Sequence, residues 1–174
     1  MIDVAGGQAA APTFSEQAVR IARALEEGYS GIPMSRGDRA ELRRMRGDVA
    51  FPPEAFWRVV GTFNITPGEE PFWRDVIPLM VEHAHKGSVA PGLAAARAGV
   101  SPARVERWLR RPAEDARKEA RRLLSKVDDG LHWGWFASLL RFWTDEGRTR
   151  FARDYFLSPE YRNRTRQHKA EESA

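Results

Sequence analysis

Cysteine is absent from all 174 residues, which excludes disulfide frameworks, cysteine-ligated zinc or iron–sulfur sites and thiol catalysis. Lysine is nearly absent too: Lys86, Lys118, Lys126 and Lys169 are the whole supply, so positive charge is carried by arginine. No run of roughly eighteen apolar residues offers a membrane span. The opening MIDVAGGQAAAPTF lacks the basic start and leucine-rich centre of a secretion signal, so a soluble, cytoplasmic protein is expected. No glycine-rich phosphate loop, Ser/His/Asp pattern or spaced carboxylate set stands out. His83 and His85 are two apart and would face different sides of one helix, which denies them a shared metal. The expectation is a protein that is not an enzyme and uses no metal and no cofactor.

What is present is helix. Apolar residues make up 42% of the chain, enough at this length for a core. TFSEQAVRIARALEEG opens with a capping box, Thr13 and Glu16, repeats apolar residues at spacings of three and four, and stops at Gly28. In GDRAELRRMRG, Asp38 and Glu41 suggest a second box before a short helix ending at Gly47. PPEAFWRVVGTFN and PFWRDVIPLMVEHAHKG each begin with proline in the first turn, and Pro78 should bend the second. KGSVAPG reads as a loop between two lobes, residues 13–86 and 91–157. Beyond it come GLAAARAG, SPARVERWLRRP with Ser101 as N-cap, AEDARKEARRLLSKV, the apolar LHWGWFASLLRFW and RTRFARDYFL. Asp128 and Asp129 are placed to cap the helix after Gly130, with His132 at the core edge. The six tryptophans fall mostly on apolar stripes and read as core rather than base-stacking groups. Residues 1–12 and 158–174 lack an apolar period and are expected to be flexible tails. No alternating β-branched stretch occurs, so the fold class is all-α, a helical bundle in two small lobes.

Charge is unevenly placed. Residues 36–46 carry five basic against two acidic side chains and residues 104–126 nine against four, whereas residues 1–35 and 47–86 are acidic. At about 100° per residue, Arg39, Arg43 and Arg46 form one ridge with Arg44 further round. Arg104, Arg107, Arg110 and Arg111 share an arc beside the apolar face of Val105, Trp108 and Leu109. Arg117, Lys118, Arg121 and Arg122 lie off the Ala120–Leu123–Leu124 stripe. Charge runs on helices are commonly solvated faces, and Glu41, Glu106, Asp115 and Glu119 are near enough to pair with some of these arginines. Two unbalanced clusters on separate helices nevertheless favour a phosphate-binding surface, because planar guanidinium donors match phosphate oxygens two at a time.

LAAARAGVSPARVERWLRR also has the form of a helix-turn-helix, with its turn at Gly99. Two further readings therefore stand beside a subunit that holds phosphates: a DNA-binding regulator using residues 92–111, and a basic adaptor for an acidic protein. The second helix offers arginine and glutamate without an Asn, Gln, Ser or Thr array, which suits phosphate holding better than base reading.

Taken in order, GDRAELRRMRG…FPPEAFWRVV, GVSPARVERWLRRPAED, EARRLLSKVDDGLHWGWFASLLRFW and RFARDYFL resemble the small subunit, the CasB family, of the type I-E CRISPR surveillance complex Cascade. The resemblance spans about residues 14–157. It implies an all-α, non-catalytic protein present in more than one copy. Its implied partners are the guide-RNA backbone and large subunits, another copy of itself, guide RNA and target DNA, with a role in stabilising the R-loop and its displaced strand. The family's basic positions would fall on Arg43 and Arg44, on Arg104 and Arg110, on Arg121 and Arg122, and on Arg148. Where the family can carry a basic pair after the aromatic pair, this chain has Thr144, Asp145 and Glu146.

Overall fold

The computed structural model describes residues 12–26 and 31–172. Among them ten helices form, in chain order: α1 (Phe14–Ala24), α2 (Arg36–Arg44), α3 (Glu54–Thr62), α4 (Glu70–Glu82), α5 (Pro91–Arg97), α6 (Pro102–Leu109), α7 (Ala113–Leu124), α8 (Trp133–Phe142), α9 (Asp145–Phe156) and α10 (Pro159–Glu172). An isolated bridge pairs His85 with Leu131, and no named strand forms among the described residues. The fold is all-α.

Local chemistry sets the helix starts. Thr13 Oγ1 accepts the Glu16 N–H at 3.3 Å while the Glu16 carboxylate takes the Thr13 N–H at 2.8 Å, the reciprocal box the sequence predicts. The expected stop at Gly28 lies outside the described residues, and α1 closes at Leu25. In α2 the box sits three residues earlier than Asp38 and Glu41 suggest. Ser35 is the cap, its extended backbone presenting Oγ to the Asp38 N–H, and the Asp38 carboxylate returns to the Ser35 N–H at 2.7 Å. Arg58 holds the same carboxylate at 2.5 Å, so Asp38 is spent as an internal anchor. Ser101 occupies the N-cap of α6, but only its carbonyl takes part, accepting the Arg104 and Val105 N–H groups, with no side-chain cap. At α8 the cap is His132, whose Nδ1 accepts the Trp135 N–H at 3.3 Å, and not Asp128 or Asp129.

The buried side chains on both sides of the 86–90 loop belong to one cluster. α1 packs chiefly along α8, and α5 along α9. The second contact requires Gly92, because a Cβ there would lie 2.2 Å from the Phe151 carbonyl oxygen. The loop itself is tied down by backbone bonds from Leu131 to Ala84, from Lys86 to Leu131 and from His132 to Val89. Trp73, Trp108 and Trp133 are core residues as expected. Trp57 and Trp135 are not: they are 43% and 38% exposed, and Trp143 is half-buried.

Residues 159–172 are helical, although no apolar period marks them. Buried Ser158 accepts the Tyr161 N–H at 3.1 Å and starts α10. Tyr161 packs its ring against Tyr155 and Phe156, and Glu160 pairs with Arg97 of α5 at 3.1 Å. One aromatic anchor and one ion pair hold this helix, which leaves little periodicity to read.

Candidate nucleic-acid interface

α6 buries Val105 and Trp108, and the Trp108 indole N–H donates to the Ala116 carbonyl of α7 at 2.8 Å. That bond locks the α6–α7 angle and opens a recess of about 280 Å³ between the helices. Arg104, Arg107, Arg111 and Arg122 line it together with Glu119, Trp108 and Leu123. Residues from both ends of the second charge cluster thus meet at one place. Arg111 is half-buried and pairs with Glu119 at 2.7 Å, so the acid in the recess is already compensated. Arg104, Arg107 and Arg122 are exposed, and their side chains have no partner among the described residues. Arg110 is 81% exposed and lies 3.7 Å from Glu106 on its own helix.

The first cluster behaves less uniformly than its helical spacing implies. Arg43 and Arg46 are exposed without side-chain partners among the described residues, and Arg44 reaches only the Ala40 carbonyl, 3.2 Å away. Arg39 is half-buried and turned inward. Its Nε and Nη2 donate to the Leu25 and Glu26 carbonyls at 3.0 and 2.6 Å, where it satisfies the C-terminal carbonyls of α1 and meets the negative end of its dipole.

Arg121 is likewise engaged, with Glu82 of α4 and with the backbone carbonyl of Arg43. Arg148 donates to the Leu109 carbonyl at 3.1 Å, pairs with Asp145 and lies 5.8 Å from the Trp143 ring centroid. The guanidiniums of Arg39, Arg111, Arg117, Arg121 and Arg148 therefore tie elements together, while Arg43, Arg44, Arg46, Arg104, Arg107, Arg110 and Arg122 are exposed.

α7 connects the two patches. On the side away from the α6 recess it lines a groove of about 570 Å³ with the end of α2 and with α4. Arg46, Arg74, Arg117, Lys118 and Arg121 contribute cations there, against Asp48, Asp75 and Glu114. Arg117 pairs with Asp75 at 2.6 Å, and Lys118 with Glu114 at 2.7 Å. The bond to Lys118 holds the Glu114 carboxyl below its ordinary range. The turn of the chain at Gly47 brings the two sides this close, since a Cβ there would overlap the Asp75 carboxylate at 1.7 Å. Sequence spacing cannot show this groove, because its walls are far apart in the chain. The balance of charge differs between the two sites: in the groove Arg74, Arg117, Lys118 and Arg121 each have a carboxylate partner, in Glu70, Asp75, Glu114 and Glu82, while the α6–α7 recess keeps an excess of free arginine.

The α5–α6 pair does turn at Gly99, at φ +70°, but α5 is largely buried against α9 and α6 exposes Arg104, Glu106, Arg107 and Arg110. No group of three or more His, Asp or Glu able to hold a metal occurs among the described residues, and no described helix is long and apolar enough to cross a membrane.

Comparison with known proteins bears on this arrangement. A chain in the crystal structure of E. coli Cascade bound to a PAM-containing dsDNA target superposes with a TM-score of 0.58 at 24% identity, covering 80% of this chain and 96% of that one. This likeness shows a shared fold. No curated protein sequence matches significantly. The family described as CRISPR-associated protein Cse2 matches residues 38–156, from the first turn of α2 to the end of α9. The chain therefore belongs to the Cse2 family.

Proposed function

We propose that this protein is a non-catalytic, nucleic-acid-binding small subunit of a type I-E Cascade complex, whose arginines hold phosphates of an R-loop in antiviral defence. Its partners in this reading are the guide-RNA backbone and large subunits, a second copy of itself, guide RNA and target DNA. The observation that carries the reading is the α6–α7 recess, where Arg104, Arg107 and Arg122 project without acidic partners while Arg111 neutralises Glu119. Three unpaired guanidiniums at one concavity repel one another in the free protein, and anionic phosphates relieve that repulsion. Family membership and the fold shared with a chain of a DNA-bound Cascade support the same assignment. Arginine and glutamate alone on the open face of α6 favour backbone holding over base reading.

Exchanging DNA duplex for guide–target heteroduplex is nearly balanced in energy, so modest protein contacts tip it. The test is a reconstituted complex lacking this subunit, or carrying Arg104→Ala, Arg107→Ala and Arg122→Ala together. Guide-RNA binding should persist while capture of matched duplex DNA weakens, and the defect should shrink on negatively supercoiled or pre-melted targets. Equal loss on duplex and pre-melted targets would reassign these arginines to assembly or general affinity.

A further inference from the structure

α10 lies wholly beyond the span matched to the Cse2 family, which ends at residue 156. Its inner side is accounted for: Glu160, Tyr161 and Arg164 are half-buried, with Glu160 on Arg97, Tyr161 on the aromatic rings of α9, and Arg164 Nη1 placed 3.0 Å from where a Cβ on Gly99 would stand. On the outer side, the side chains of Arg162 and Arg166 meet no other element among the described residues, and the Thr165 hydroxyl donates to the Tyr161 carbonyl one turn back at 3.1 Å. Arg162, Asn163, Thr165, Arg166, Gln167 and Lys169 are all exposed.

The chemistry of that face is selective. It holds no carboxylate and no large apolar side chain. A protein-binding helix face needs an apolar centre, and this one has none. Arg, Lys, Asn, Gln and Thr are the side chains that donate to phosphate and sugar oxygens. Arg162 and Arg166 lie one turn apart on the same stripe, about 6 Å along the axis, close to two nucleotide steps of about 3.4 Å each. No acidic residue stands three or four positions from either one on this helix, and neither has a side-chain partner among the described residues. Both guanidiniums are thus left open to solvent on a face of donors.

We infer that the outer face of α10 is a second phosphate-backbone contact for nucleic acid, independent of the α6–α7 recess and carried by a helix outside the span matched to the family. The inference rests on the nucleic-acid role proposed above, and it assigns that role to a surface the family match does not cover. Contact is through charge and hydrogen bonding to the backbone, so it is indifferent to sequence and open to DNA and RNA alike.

The test uses the full chain with Arg162→Ala and Arg166→Ala together, titrated against one labelled oligonucleotide sequence as single-stranded DNA, single-stranded RNA and duplex DNA over a salt series. Both residues are exposed, so the melting temperature should not change. Affinity should fall several-fold at low salt, and the log–log salt slope on single strands should flatten by about 1 to 1.5, as expected for two lost phosphate contacts. Arg162→Lys with Arg166→Lys should restore most of the slope.

Unchanged affinity and slope in the alanine variant, while Arg104→Ala with Arg107→Ala weakens binding, would overturn the α10 site and leave the recess standing. Failure of the unaltered protein to bind any of the three would overturn both. Loss of binding to polyglutamate with nucleic-acid binding unchanged would assign the face to an acidic protein and also overturn it. Loss confined to one of the three nucleic acids would still support the site and would identify its source.

Discussion

The guanidinium of Arg121 donates to the backbone carbonyl of Arg43, a residue 78 positions away, while also gripping the Glu82 carboxylate. α2, α4 and α7 are joined through this one side chain. Arg122, its neighbour in sequence, lies about 100° round α7, exposed at the α6–α7 recess with no side-chain partner among the described residues. Two adjacent arginines that look equivalent in ARRLL therefore have different work.

Arg121→Ala should lower stability by about 2 kcal/mol, because it strands a partly buried carboxylate and a carbonyl together. Arg122→Ala should change stability by less than about 0.5 kcal/mol and weaken nucleic-acid binding instead. Denaturant unfolding of the two single variants separates them, and equal stabilities would remove the structural role assigned to Arg121.

Trp133 is fully buried, and its indole N–H donates to the His83 carbonyl at 2.7 Å. Trp133→Ala should cost about 3–5 kcal/mol through the cavity and the lost bond. Trp135 is two residues on but only half-covered, with His132 stacked 4.8 Å away and Arg150 3.6 Å from its ring centroid. Trp135→Ala should cost about 1 kcal/mol. Thermal melts of both variants give the ranking, and a silent Trp133→Ala would contradict the packing.

Stability should fall on mild acidification. His85 Nδ1 accepts the Trp133 N–H at 3.2 Å and His132 Nδ1 accepts that of Trp135, so neither nitrogen can carry a proton while these bonds hold the start of α8. Burial, reinforced by the neighbouring His132 and Arg23, lowers the His85 pKa to about 4. His83 and His132 are also shifted down, in both cases first by burial. Between about pH 6.5 and pH 4 the unfolded chain therefore binds more protons than the folded one. The contribution of His85 is complete above about pH 6.5 and is lost as pH falls toward 4. Melting temperatures across this window should drop for the unaltered protein and drop less for His85→Asn; parallel curves would exclude His85 as a contributor.

Much of this was legible beforehand wherever the deciding partner sits a few residues away. The Thr13–Glu16 box, the apolar stripes of α1, α4 and α8, and the turn at Gly99 depend on near neighbours. Ser35 shows the limit even there: S-x-x-D and D-x-x-E overlap in SRGDRAE, and Arg58, 20 residues on, holds Asp38 in the internal position. Arg39 and Arg43 share one helical stripe, yet only Arg39 meets the end of α1. α10 was hidden because its support comes from Arg97, Tyr155 and Phe156 on other helices rather than from its own pattern.

The same division among arginines makes the salt dependence of binding informative. Arg43, Arg46, Arg104, Arg107 and Arg122 have free guanidiniums among the described residues, whereas Arg39 and Arg148 are committed to the Leu25, Glu26 and Leu109 carbonyls. If about four phosphates are neutralised, log affinity should fall against log salt with a slope of about −3 to −4, without sequence preference. Replacing Arg104, Arg107 and Arg122 by alanine should flatten that slope by about 2 to 3 and leave the melting temperature nearly unchanged. Arg39→Ala should do the opposite, because a guanidinium turned onto the end of α1 releases no counterion when nucleic acid binds but does hold a helix terminus. The pair of measurements is decisive in combination. A slope near zero for the unaltered protein would end the electrostatic account of binding, and an Arg39 variant that flattened the slope as much as the recess variant would mean that the inward contacts of Arg39 open when nucleic acid arrives.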